Sequence, residues 1–142
     1  IAFNALPHCD DFEPNGFTKE EMKIVWETHR ILDPNIEIAA TCVRVPILNG
    51  HSESVHIETR EPLNIAAVKE CLSEAIGVEL IKGVNSKSYT TAIEVDGTDL
   101  VHVGRVRLDL WNKNRVNLWV VADNLRKGAA LNSIQIAEIL FF

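Results

Sequence analysis

Apolar residues along the chain switch between two periods, and the switches mark the elements. Met22, Val25, Trp26, His29 and Leu32 recur at helical spacing and predict one apolar face, with Glu20, Lys23, Glu27 and Arg30 on another. Ile24 and Ile31 lie beside the polar face and predict a second contact there. Thr18-Lys19-Glu20-Glu21 reads as a capping box, with Thr18 capping the helix and Glu21 reaching back to it. Asp33-Pro34-Asn35 stops the helix. Over residues 36–45 the period drops to two, with Ile36, Ile38, Ala40 and Cys42 on one parity and Glu37 and Thr41 on the other, which predicts a strand. Pro46 interrupts it, having no N–H to donate. Asn49-Gly50 then turns the chain into a second strand with His51, Val55 and Ile57 on one face.

Downstream, Asn64 predicts the cap of a helix that runs to Ile76 and ends at Gly77. Asp96-Gly97 reads as a hairpin turn between strands at 89–95 and 98–108. Asn112-Lys113-Asn114 turns into a strand at 116–122, and a last helix covers 128–140. Five or six strands and three helices make an α+β fold: a mixed, largely antiparallel sheet with helices packed on one face. The other face is left bare unless something packs on it. Residues 1–17, rich in Pro, Asn, Asp and Gly, form an extended lead-in.

Composition narrows the class. At 142 residues, 46% hydrophobic and 24% charged, the chain has the make-up of one globular domain. Its net charge of −6 argues against nucleic-acid or anionic-membrane partners, which need clustered cations. No apolar run approaches the roughly 20 residues of a membrane span. The start, Ile-Ala-Phe-Asn, has no basic segment and no cleavage site, so it is not a signal peptide and reads as a chain entered partway. Three cysteines, Cys9, Cys42 and Cys71, offer no disulfide framework and point to a reducing cytoplasm.

Four features could carry chemistry. Glu20 and Lys23, three apart, are helical neighbours and read either as a solvated ion pair or as a charged pair facing a ligand. Arg44 sits on the apolar parity beside Pro46, so it is either an edge residue, a buried ion-pair partner or a guanidinium fork for a carboxylate or phosphate. His51 is either a structural histidine or a general acid/base, and a short connection over 46–50 places it near Arg44 on one pocket. The run from Asp123 to Ala130 is either a loop and helix start or, at Gly128, Ala129 and Ala130, a close backbone approach to a ligand. His8 and Cys9 lack metal-spaced partners, so no metal site is expected. Dinucleotide, phosphate-loop and nucleophile-elbow motifs are missing, and Cys42 and Cys71 are expected in the core.

Five runs occur together in order: Phe3-Asn4-Ala5-Leu6-Pro7-His8, Thr41-Cys42-Val43-Arg44-Val45-Pro46, Gly50-His51-Ser52-Glu53, Val103-Gly104-Arg105-Val106-Arg107 and 123–131. Together they resemble the aspartate-β-semialdehyde dehydrogenase family over nearly the whole chain. The match is to its C-terminal catalytic and dimerisation domain, of the glyceraldehyde-3-phosphate-dehydrogenase-like type. The resemblance implies NADP-dependent reductive dephosphorylation of aspartyl phosphate to aspartate semialdehyde, on the route to lysine, threonine and methionine. It implies His51 as the acid/base serving a nucleophilic cysteine, Arg44 on the substrate α-carboxylate and Glu20 on its amino group. Lys23 would bind phosphate and Asn124 would touch the nicotinamide end of NADP. A homodimer, or a tetramer built from it, is implied as well.

The family's glycine-rich NADP loop, its nucleophilic cysteine and the glutamine after it have no counterpart here. The resemblance therefore implies a fragment with half an active site, inactive alone. In it, 18–125 is the catalytic and dimerisation body, and 126–142 is a helix that packs on a nucleotide-binding domain. Near 83–92 the match weakens and a subgroup insertion stays unassigned. Two rivals remain: an N-acetyl-glutamyl-phosphate reductase, whose acetylated substrate has no need of Glu20, and a non-catalytic dimerisation module.

Overall fold

A computed structural model describes residues 1–83 and 87–141, so 84–86 of the weakly matching stretch and the final Phe142 lie outside the described residues. The chain divides into two units, Ile1–Pro46 and Ile47–Phe142.

In the first unit, α1 spans Lys19–Ile31 and opens on the predicted capping box. The Glu21 N–H donates to Thr18 Oγ1 (3.3 Å) and the Thr18 N–H donates to Glu21 Oε2 (2.8 Å). Such a cap is worth about 1 kcal/mol. Met22, Val25 and His29 of the predicted stripe are half-buried, but Trp26 and Leu32 are exposed, as are Ile24 and Ile31. The predicted strand at 36–45 does not form. Its main-chain groups find separate partners instead of one ladder. The Ile36 carbonyl pairs with His29 Nε2 (2.8 Å), the Cys42 N–H donates to Glu21 Oε1 (2.8 Å), and Arg44 alone forms an isolated antiparallel bridge, with Leu6. Scattered partners satisfy the backbone without a sheet. The alternation survives in part: Ile38, Ala40 and Cys42 are half-buried, while Ile36, Glu37, Thr41 and Val43 are exposed.

The second unit holds a four-stranded sheet in the order β1-β4-β3-β2, with β1 His51–Glu58, β2 Val78–Leu80, β3 Val101–Leu108 and β4 Arg115–Ala122. The β1–β4 and β3–β4 pairs are antiparallel and β2–β3 is parallel, so the sheet is mixed and largely antiparallel as expected. Cross-strand partners share a face. Ile57–Val116, Val55–Leu118 and His51–Ala122 therefore lie together. On that face α2, Ile65–Glu74, packs Ile65, Val68 and Leu72 against buried Val103, Val106, Val116 and Leu118. Burial of each such side chain stabilises by roughly 1.5–3 kcal/mol. Asn64 caps α2 as predicted, accepting from Ala66 N–H (2.9 Å) and Ala67 N–H (3.4 Å). Cys71, expected in the core, is exposed because it lies on the outer side of this helix.

The hairpin predicted around Asp96-Gly97 is replaced by a helical turn, α3, over Ala92–Val95. The Glu94 carboxylate accepts from both the Thr91 N–H and its hydroxyl (2.9 Å each), a helix-start pattern that outweighs the turn dipeptide. Ala92 and Val95 are buried against Val121 on the second sheet face, and Trp119 packs there too. The Trp119 Nε1–H donates to Thr90 O (2.9 Å), so 90–95 covers part of the face expected to stand bare. Gly104 lets the chain just before this strip close in, since a Cβ there would stand 2.5 Å from Ser88 O. The count is thus four strands among the described residues, not five or six: two predicted strands are lost and β2, too short for a periodic signal, is gained.

The last helix, α4, spans Leu131–Phe141 and starts three residues later than predicted. Lys127, Gly128 and Ala129 have non-helical backbone, with Gly128 at φ +118°. Ile134, Ile136, Ile139, Leu140 and Phe141 are exposed, Ile139 at 84%. Ala129 and Ala130 are exposed too, and Ala137 is half-buried. No helix among the described residues is long and apolar enough to cross a membrane.

Candidate functional site

In the first unit the chemistry gathers around the start of α1. Glu20 and Lys23 lie on adjoining turns, with Lys23 Nζ 3.5 Å from Glu20 Oε2 and both side chains solvent-accessible. A pair this exposed is worth little by itself and exchanges partners readily. The neighbouring Glu21 behaves differently. It is buried, and each of its carboxylate oxygens accepts a main-chain N–H, one from Thr18 and one from Cys42, which together hold its carboxyl below the usual range.

Arg44 is exposed, which corrects the buried alternative read from its parity. Its backbone is fixed: Arg44 N–H donates to Leu6 O (2.8 Å) and Leu6 N–H donates to Arg44 O (2.9 Å). Its guanidinium has no hydrogen-bond or ion-pair partner among the described residues.

In the second unit the chemistry sits where β1 begins and β4 ends. His51 opens β1 opposite Ala122, the last residue of β4. The turn after β4 folds Asn124 back to that point. Asn124 Oδ1 accepts from Gly50 N–H (2.9 Å), and its Nδ2 lies 3.3 Å from His51 Nε2. The first bond orients the amide, so Nδ2 is the donor facing His51 Nε2. Gly50 has φ +93°, and a Cβ there would stand 3.2 Å from both Ala122 O and Ala92 Cβ, so no larger residue fits this corner without movement.

Asp123 holds the turn. It is buried; its Oδ2 accepts from Gly97 N–H (2.8 Å) and its Oδ1 from Leu125 N–H (2.9 Å) and Arg126 N–H (3.3 Å). The Gly97 bond leads in lowering its pKa. Sequence reasoning placed Asp123 in a loop without this role. The missed signal is an Asp at the strand end followed by residues whose N–H groups turn back on it.

Glu21 and Asp123 both have folded pKa values below those of the unfolded chain. Their contribution to stability is therefore full above the ordinary carboxylate range, about pH 4, and is lost as pH falls through the lowered values. Thermal melts followed by circular dichroism are expected to hold level from neutral pH to about pH 5 and to fall below about pH 4. Melts that stay level through that acid range would contradict the assignment.

His51 and Asn124 are thus brought together, as are Glu20 and Lys23, while Arg44 belongs to the unit of the latter pair. Among the described residues no group of three or more His, Cys, Asp or Glu side chains is placed to hold a metal ion.

A family profile described as semialdehyde dehydrogenase, dimerisation domain, matches residues 1–127. An aspartate-semialdehyde dehydrogenase of Shewanella violacea is 56% identical over 142 residues, which is 99% of this chain and 41% of the relative. A second, from Vibrio cholerae, is 52% identical over 141 residues, again 99% of this chain and 41% of its own length. Among solved structures, aspartate semialdehyde dehydrogenase II of Vibrio cholerae complexed with ASA superposes with a TM-score of 0.93 at 51% identity, covering all of this chain and 43% of that one. The Candida albicans enzyme with NADP gives 0.75 at 25% identity, covering 99% and 45%. The chain therefore spans about two fifths of the curated relatives it matches. With the profile aligned from the first residue to the turn that carries Asn124, and relatives more than half identical, the chain belongs to the semialdehyde dehydrogenase dimerisation-domain family.

Proposed function

We propose that the chain is the C-terminal part of an NADP-dependent aspartate-semialdehyde dehydrogenase, reducing aspartyl phosphate to aspartate semialdehyde with release of phosphate. The observation that carries this reading is the 56% identity to such an enzyme along 99% of the chain. Arg44 offers a guanidinium without a partner among the described residues, the fork that matches a planar α-carboxylate bidentately. Glu20 takes the α-ammonium and Lys23 takes the phosphate, each giving up a weak mutual contact for a substrate charge. His51 accepts the proton of a thiol supplied by the rest of the enzyme and returns it to the oxygen where charge develops.

NADP, when bound, accepts or delivers the hydride. Of this chain's residues Asn124 fits its nicotinamide end, because one Nδ2 hydrogen remains after the contact with His51. The rest of the cofactor needs a phosphate-binding loop that the sequence here does not contain. We place residues 18–125 in the catalytic and dimerisation body, with a homodimer as the working assembly and a tetramer as its doubling. The exposed apolar side of α4, within 126–142, covers a nucleotide-binding domain. Cytoplasmic residence and a role in lysine, threonine and methionine synthesis complete the reading. An N-acetylated glutamyl substrate would leave Glu20 without an ammonium to pair.

The test joins this chain behind the preceding part of the Shewanella violacea relative. The fusion is expected to form NADPH from aspartate semialdehyde, phosphate and NADP, and the isolated chain is expected to form none. A fusion that folds and dimerises yet turns over only N-acetyl-glutamate semialdehyde, or nothing, would sink the proposal.

A further inference from the structure

Resting on that reading of Glu20 and Arg44, we propose that Glu21 is a positioning residue that sets the distance between the ammonium and carboxylate sites, and so selects substrates carrying both groups. Glu21 spans two segments 21 residues apart in sequence. Its Oε2 accepts from Thr18 N–H and its Oε1 from Cys42 N–H, each at 2.8 Å. Glu20 is its neighbour on α1, and Arg44 lies two residues beyond Cys42. Arg44 is held on its other side by the double bond pair with Leu6. No strand of the described residues carries Arg44, and these hydrogen bonds tie its backbone to α1 and the lead-in.

A capping box needs only one carboxylate oxygen. The second oxygen is spent on a segment that is otherwise unladdered, and it is buried while Glu20, next to it, is accessible. A charged acceptor on an N–H is among the stronger hydrogen bonds available. Binding an α-amino acid by both its charges requires the two receptors at a set spacing, and because both charges lie away from the reacting carbon, a misplaced receptor weakens ground state and transition state alike and is felt in KM.

The experiment uses the fusion protein and four variants. Glu21→Gln turns one acceptor oxygen into a donor. Cys42→Pro removes the N–H that meets Oε1, together with the thiol, and leaves both residues of the cap in place, while Cys42→Ala removes the thiol alone and is expected to leave KM unchanged. Thr18→Ala weakens the cap and leaves the link to Cys42 intact. Glu21→Gln and Cys42→Pro are expected to raise KM for aspartate semialdehyde about tenfold or more, with kcat within about threefold. They should also shrink the preference over succinate semialdehyde, which lacks the ammonium. Thr18→Ala is expected to lower Tm and leave KM unchanged. In an Arg44→Ala background, Glu21→Gln should add no further rise in KM. Normal KM in both linking variants, or effects that simply add to Arg44→Ala, would overturn the inference while the reading of Arg44 stands. Normal KM in Arg44→Ala itself would overturn that reading, and the inference with it.

Discussion

Replacing His51 by alanine in the fusion protein is expected to lower kcat by about 10²–10⁴-fold, the usual worth of a positioned acid/base, with KM changed only slightly. The structure gives the reason for expecting a clean effect. His51 is the first residue of β1 and is exposed, so its ring is not part of the core. The strand's start is held by backbone pairing with Ala122 and by the Gly50 N–H on Asn124, both of which survive the substitution. Tm should therefore move little, since surface changes of this kind stay within about 0.5 kcal/mol. Asn124, with Nδ2 3.3 Å from Nε2, orients the ring at the start of β1. A loss of kcat below tenfold in a folded, dimeric variant would remove His51 from the chemistry.

The parts of this fold that could be read in advance are those set by contacts between near neighbours. The box at Thr18 and Glu21 and the cap at Asn64 each depend on residues within one turn, and the structure forms them as read. The strands read at 98–108 and 116–122 form at 101–108 and 115–122, on either side of the turn read at Asn112-Lys113-Asn114. Residues 36–45 alternate just as well, yet make no strand, because alternation describes which side chains can be buried and says nothing about a partner for the backbone. At 91–97 two local signals compete. The dipeptide Asp96-Gly97 fits a hairpin, but Thr91 and Glu94 start a helical turn whose Val95 reaches the core at Val121, and that burial decides between them.

The candidate site divides along the same line. The pairing of Glu20 with Lys23 follows from helical spacing. The contact of Asn124 with His51, 73 positions apart, follows only once β1 and β4 are known to pair. The double duty of Glu21 was hidden for the same reason: its role as a cap is local, and its bond to Cys42 is not. The parity of Arg44 left exposed and buried alternatives open, and only the structure decides between them, because the segment carrying it stands outside any sheet.

That exposure makes Arg44 the second residue from which a large effect is expected. Arg44→Ala in the fusion protein should cut kcat/KM for aspartate semialdehyde by about 30- to 5,000-fold, the 2–5 kcal/mol typical of truncating one partner of a buried hydrogen-bonded charge pair, which substrate binding makes of the guanidinium. Most of the loss should fall on KM, because a carboxylate remote from the reacting carbon is held alike before and during the reaction. Arg44→Lys should recover only part of it. The charge returns, but the planar fork that bonds both carboxylate oxygens does not. Stability should be nearly unchanged in both variants, since the guanidinium has no partner among the described residues to lose, and the two backbone bonds to Leu6 do not depend on the side chain. An aspartate semialdehyde analogue without its α-carboxylate should be used equally by the parent and by Arg44→Ala. If the parent and Arg44→Ala instead differ on that analogue as much as on the true substrate, the guanidinium grips some other group and the carboxylate assignment falls.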